Sequence, residues 1–172
     1  SKHVLSKIER DYFFIKGNVA VDTQYFIDEI EKGIQQENNK NFKTNVKGMM
    51  TDWRYFCNDK KFIRVAMQFM SYLDTQKILN EGYHLEDAWG LKETFGGRTD
   101  LHDHSRCLWS GVLYLSDVNQ PLTFPEINEE VEVKNGNFAI FSSFLKHGTK
   151  NSISDDVLKY GIAFNFYNDL DY

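Results

Sequence analysis

The spacing of apolar residues changes period once along the chain. In the first half it is helical. Phe26, Ile27, Ile30 and Ile34 recur at intervals of three and four, so the segment from Thr23 to about Gln36 carries one apolar face. Asp22 stands where a side-chain oxygen can accept from the free N–H groups of a first turn, which makes it that helix's cap. Phe62, Val65, Phe69, Tyr72 and Leu73 predict a second helix from Lys60 to about Asn80. Asp11 to Val21 is apolar and β-prone, Asn38 to Asn45 reads as a polar loop, and Gly48 to Cys57 is dense in aromatics.

From Tyr83 onward the runs become short and are punctuated by Gly96-Gly97, Asp117 to Pro121, Asn135-Gly136 and Ser154 to Asp156. That rhythm predicts an antiparallel β sandwich or barrel. The expected fold is α+β and mainly β, with N-terminal helices packed on the sheet. With no internal repeat and no linker composition, residues 1–172 are expected to form one domain.

Composition narrows the function classes. The chain is 41% hydrophobic and 15% aromatic, enough for a substantial core. A net charge of −5, with basic residues clustered no further than pairs such as Lys60-Lys61, argues against general nucleic-acid binding. No apolar stretch approaches the ~20 residues that cross a bilayer, and no secretory leader is visible, so a soluble, cytoplasmic protein is expected. Cys57 and Cys107 are the only thiols and form no C-x-x-C pair, so both are read as reduced.

Three of the five histidines could carry chemistry. His102 and His104 stand at i and i+2, and on a regular strand both rings leave the same face. His147 follows an expected strand, Phe138 to Phe144, that a jelly roll can lay against the first. Three inward imidazoles would suit iron, copper, nickel or zinc rather than magnesium or calcium. Paired histidines on a strand are also common as exposed or hydrogen-bonded residues. His3 and His84, the latter beside Glu86 and Asp87, are read as structural.

Alternation from Lys159 to Phe166 puts Lys159, Gly161, Ala163 and Asn165 on one face and Tyr160, Ile162, Phe164 and Phe166 on the other. The apolar face should pack under the helices. The small, polar face could line a pocket with Lys159 at its floor, and a half-buried ammonium there wants a carboxylate. Trp89, Trp109 and Tyr114 are expected in the core more than on a binding surface. Arg98 is a candidate rim residue, with a surface ion pair as its simpler fate.

The stretch from Trp89 to Phe166 resembles the 2-oxoglutarate- and Fe(II)-dependent oxygenases, in particular a small subfamily with a His-x-His motif followed by Ser-Gly-Val-x-Tyr-Leu. The residues that carry the resemblance are His102-Asp-His104, Ser110-Gly-Val-Leu-Tyr-Leu115, Leu122-Thr-Phe124, the Gly136 turn, Phe141 ahead of His147, and Phe164-Asn165. Short oxygenases of this kind also occur in phage genomes.

The resemblance implies a double-stranded β-helix, or jelly roll, with iron held by His102, His104 and His147. Lys159 then matches the basic residue that receives the distal carboxylate of 2-oxoglutarate. Gly161 stands where many relatives have a serine that also touches this group, so Ser110 or Tyr114 is the expected second donor. The implied activity is a dioxygenase, a hydroxylase of a peptide, amino acid or small metabolite, releasing succinate and carbon dioxide. Most such enzymes pair two histidines with one carboxylate. Three arrangements therefore stay open: all three histidines bind the metal, Asp100 replaces His104, or the third position takes water or halide. Asp103 should point away, on the opposite side of a regular strand. Two other classes remain: a three-histidine cupin-type dioxygenase without cosubstrate, and a non-catalytic cupin-like metal-binding protein. The loops expected to choose the substrate are Asn38 to Asp52 and Ser116 to Glu130.

Overall fold

Two antiparallel sheets lie face to face, and two helices cover the outer side of the larger one. The computed structural model describes residues 11–37, 48–75, 82–104, 106–154 and 156–171. Helix α1 (Thr23–Gln36) is capped by Asp22, whose carboxylate accepts from the Tyr25 N–H at 3.3 Å. Helix α2 (Lys60–Asp74) is capped by Asp59 in the same way, through Phe62 N–H at 2.9 Å. The expected continuation of α2 to Asn80, the loop at Asn38 to Asn45, and His3 lie outside the described residues. No helix among the described residues is long and apolar enough to cross a membrane.

The strands are β1 (Phe14–Asn18), β2 (Met49–Met50), β3 (Tyr83–Glu93), β4 (Trp109–Tyr114), β5 (Val118–Phe124), β6 (Glu129–Val133), β7 (Asn137–Ser142), β8 (Gly148–Thr149) and β9 (Lys159–Asn168). The major sheet runs β1-β7-β4-β9-β3-β2 and the minor sheet β6-β5-β8. From β4 the chain crosses to the minor sheet for the paired strands β5 and β6, returns for β7, crosses again for β8 and returns for β9. Over that stretch β5 and β6 are the one consecutive pair that are also sheet neighbours, which is the winding of a jelly roll. The Asn135-Gly136 turn lies on one such passage, from β6 to β7, with Gly136 at φ 87°.

The two faces of β9 separate as alternation predicts. Tyr160, Ile162, Phe164 and Phe166 join the core under the helices, with Phe26, Ile30, Phe62 and Phe69. Phe69 stacks on Phe164 at a centroid distance of 5.3 Å, and Phe62 meets the same ring at 5.8 Å. Gly111 of β4 faces this layer, and a Cβ there would enter the Phe164 ring. The Ser110-Gly111 pair thus puts one residue toward each side of the sheet. Trp109 belongs to the helix-side core. A second core, including Val112, Leu122, Phe124, Val131, Ala139 and Phe141, fills the space between the sheets.

Four expectations need correction. Asp117 to Pro121, expected as a turn between runs, lies mostly in strand β5, because that strand pairs with β6 and β8. The strand expected from Phe138 to Phe144 runs from Asn137 to Ser142, and the chain then turns, with Leu145 N–H bonded to the Ser142 carbonyl. His102 and His104 are not on a regular strand. His102 makes only an isolated antiparallel bridge with His147, because the approach to β4 is irregular and the turn after β7 supplies its backbone partner. The N-terminal strand is Phe14–Asn18, shorter than Asp11 to Val21, because pairing extends only along the opposing β7.

Candidate metal centre and its cavity

The inner face of the major sheet is a ladder of matched rungs. Asp87, Asn165 and Ser110 form the first, Trp89, Ala163 and Val112 the second, Leu91, Gly161 and Tyr114 the third, and Glu93 with Lys159 the last. Both ends are polar and the middle is apolar. A register shift between Leu85 and Asp87 precedes the first rung, where Asn165 Nδ2 donates to Asp87 at 3.0 Å. Apart from Asp87, these rungs line a cavity of ≈ 240 Å³ together with Leu122, Phe141 and the three histidines, small even for a ligand site.

At one end His102, His104 and His147 converge, with one ligand atom from each lying within 4.8 Å of the others. Backbone bonds hold the segments: His102 N–H to the His147 carbonyl at 3.0 Å, the reciprocal bond at 2.9 Å, and His104 N–H to the Ser143 carbonyl at 2.8 Å. His102 Nδ1 lies 2.8 Å from the Asp100 carbonyl, and His147 Nδ1 lies 2.9 Å from that of Leu145. A carbonyl only accepts, so both Nδ1 atoms carry the proton and both Nε2 atoms present a lone pair. This is the outer hydrogen bonding that fixes the tautomer of a metal-binding imidazole. His104 Nε2 lies 3.1 Å from His102 Nε2, a contact that needs a proton or a cation between the two atoms.

Burial, followed by the nearby His102, pulls His104 down to about 4 and His147 well below its ordinary value; burial also lowers His102. Burial thus favours the neutral form of all three rings, the form that ligation requires. Phe141 and Phe124 pack on His147 with ring centroids at 4.6 and 5.5 Å. The donor set therefore fits a borderline metal such as iron or nickel.

Asp100 does not join this cluster. Its side chain lies 3.4 Å from Arg98 Nε, and both residues are half exposed. Asp103 is exposed. His84 bridges Asp169 at 2.6 Å and Glu86 at 2.8 Å, away from the cavity. Cys57 and Cys107 are free thiols.

At the other end Lys159 is buried, and its ammonium contacts Gln120 Oε1 at 2.5 Å and Glu93 Oε2 at 3.2 Å. Burial lowers the lysine's pKa and the Glu93 charge opposes that fall. Both amide protons of Gln120 are committed, to the carbonyls of Gly97 at 2.8 Å and Asn151 at 2.9 Å, so its oxygen is aimed at Lys159. Neither Glu93 nor Gln120 was expected. The signal for Glu93 was the unmet need of a buried lysine for a carboxylate, whereas Gln120 sat inside an assumed turn.

Tyr114 lies beside this end, with Lys159 Nζ 5.6 Å from its ring centre. Burial pushes its pKa upward, which keeps it a donor. Ser110 is not brought to Lys159. It stands two rungs away from Tyr114 and donates its hydroxyl proton to Asn165 Oδ1 at 2.8 Å, with Cys107 Sγ at 3.2 Å. Trp89 and Tyr114 both line the cavity as well as being buried, because the sheet's inner face is its wall. The Trp89 indole N–H has no partner among the described residues, and its ring meets Trp53 edge-on at 4.6 Å.

No family profile matches the sequence, and no curated protein matches it significantly. Solved structures do. A viral collagen prolyl hydroxylase from Paramecium bursaria Chlorella virus-1, in its 2-oxoglutarate complex, superposes with a TM-score of 0.68 at 15% identity, covering 92% of this chain and 96% of its own. A prolyl-4-hydroxylase from Pseudomonas putida gives 0.64 at 15% identity, over 90% and 91%. HygX from Streptomyces hygroscopicus, with nickel and 2-oxoglutarate bound, gives 0.63 at 16% identity, over 92% and 83%. The jelly roll expected from the sequence is therefore present over nearly the whole chain, and it is the fold that these three proteins share.

Proposed function

We propose that the protein is an Fe(II)- and 2-oxoglutarate-dependent dioxygenase that hydroxylates a peptide, an amino acid or a small metabolite, releasing succinate and carbon dioxide. The observation that carries this reading is the presence, in one cavity, of three converging neutral imidazoles and a buried ammonium. The 2-oxoglutarate complexes among the similar folds support the cosubstrate, and the nickel in HygX supports a borderline metal.

His102, His104 and His147 are the metal ligands in this reading. Lys159 and Tyr114 receive the distal carboxylate, and Gln120 holds the ammonium in place. Bound iron and 2-oxoglutarate would supply the oxidant, consuming dioxygen to turn a substrate C–H into C–OH while the oxo acid loses carbon dioxide. The protein's own part is geometric. The carbonyls of Asp100 and Leu145 fix two rings, Phe124 and Phe141 keep water from His147, and Trp53 and Trp89 offer an aromatic wall to the substrate.

The test is anaerobic addition of Fe(II) followed by titration with 2-oxoglutarate. A visible metal-to-ligand charge-transfer band is expected, and its absence with iron demonstrably bound removes the proposal. A second reading, a three-histidine dioxygenase without cosubstrate, is favoured by the ion pair that already occupies Lys159. Replacing Lys159 by Ala alone strands a buried carboxylate, so Lys159→Met in the background of Glu93→Gln separates the two. It should abolish the band in the first case and spare oxygen consumption in the second.

A further inference from the structure

Lys159 already has a buried counter-ion. Lys159 and Glu93 are 7% and 3% exposed, the ammonium lies 3.2 Å from the carboxylate, and Gln120 accepts one ammonium proton. An ammonium carries three protons, so at least one is left for a ligand. Apart from the ion pair, Glu93 Oε2 has no hydrogen-bond partner among the described residues. Among the described residues this oxygen therefore meets Lys159 by charge rather than through a larger hydrogen-bonded network. Described neighbours facing Glu93 are Lys159 from β9 and Tyr114 from β4, while Gly48 packs against its methylene groups.

Charge at the other end explains why such a carboxylate is tolerated beside an anion site. A divalent metal on two histidines and one carboxylate carries one net positive charge from its ligand set. On three neutral imidazoles it carries two. With the ammonium added, a bound dianion would leave the closed cavity one charge short of neutrality, and low dielectric makes that costly. Glu93 supplies the missing charge.

We propose that Glu93 determines cosubstrate specificity by tempering Lys159: it carries, at the far end of the cavity, the negative charge that the three-histidine metal centre lacks. This rests on the proposed 2-oxoglutarate site. The ammonium meets an incoming tail as half of a neutral pair, so it holds a distal carboxylate loosely and discriminates weakly against an uncharged tail that can also accept a hydrogen bond.

The experiment measures dissociation constants anaerobically on the nickel-saturated protein, by calorimetry. The probes are 2-oxoglutarate, its distal amide 2-oxoglutaramate, and tail-less 2-oxobutyrate. In the native chain 2-oxoglutarate should be preferred to the amide by less than roughly tenfold, the factor one charge-assisted hydrogen bond exceeds when its cation is free. Glu93→Gln should tighten 2-oxoglutarate by roughly tenfold or more and leave 2-oxobutyrate within about twofold. Glu93→Gln with His104→Asp, which moves the carboxylate back to the metal, should return 2-oxoglutarate toward the native value.

An unchanged or weakened 2-oxoglutarate affinity in Glu93→Gln overturns this inference alone. So does a preference for 2-oxoglutarate over the amide of more than about a hundredfold in the native chain, which requires no variant to fold. Failure of the native nickel protein to bind 2-oxoglutarate at all overturns the proposed function and this inference with it.

Discussion

His104 is where a carboxylate would be expected, and its surroundings argue for ligation without one. It is stacked on His147 at 14° and 5.2 Å, its Nε2 faces that of His102, and its main-chain N–H is anchored to Ser143. Asp100, the alternative third ligand, contributes a carbonyl to orient His102 while its carboxylate faces Arg98. The two residues should respond differently to truncation. His104→Ala is expected to weaken nickel binding by about a hundredfold or more, since even loss of an outer partner of a metal ligand costs roughly 10–100-fold. Asp100→Ala is expected to change it by less than about twofold. Competition against a chromophoric chelator reads both, and the reverse order would move the third ligand to Asp100.

Among the elements, β4 and β9 show how a local pattern becomes a site wall. Their alternation sends Phe164 and Gly111 toward the helices and Ser110, Val112, Tyr114, Lys159, Gly161 and Ala163 toward the cavity. The close approach at Gly111 is the most sensitive point of that arrangement. Gly111→Ala is expected to cost about 1–3 kcal/mol by overpacking against Phe164. Phe164→Leu in the same chain should recover part of that loss, and denaturant midpoints of the two single variants and the double variant measure it. A loss that is simply additive would mean the ring is not what Gly111 accommodates. The alternation of β9 was legible in the sequence because strand period depends only on neighbouring residues, and so were the Asp22 cap and both helix faces, except that Tyr72 of α2 is exposed. The partners of Lys159 were not. Glu93 meets it through strand pairing and Gln120 reaches it from the other sheet, so both depend on register and sheet packing that no local pattern encodes. The histidines stand between these cases. Their spacing marked them as a group, but the regular strand assumed for His102 and His104 is an irregular approach held by one backbone bridge.

For the molecule as a whole, the proposed metal centre sits where the two sheets are joined. His102 and His104 belong to the passage from β3 to β4, and His147 to the passage from β7, in the major sheet, to β8, in the minor sheet. Backbone bonds at this end include those between His102 and His147, that from His104 N–H to the Ser143 carbonyl at 2.8 Å and that from Thr149 N–H to the Thr99 carbonyl at 3.0 Å. The bound ion would join segments distant in sequence and would bind only the folded chain, so its free energy adds to stability. At a free nickel concentration a hundred times the dissociation constant the gain is about 2.7 kcal/mol. For a chain of this length that raises the unfolding temperature by roughly 5–10 °C. Thermal unfolding followed with nickel, after a chelator, and with nickel restored should show the rise, its loss and its return. His147→Ala should abolish the response. A rise that survives in His147→Ala would place the stabilising ion outside the cavity, and the three imidazoles would then be a hydrogen-bonded cluster that closes the sandwich without a metal.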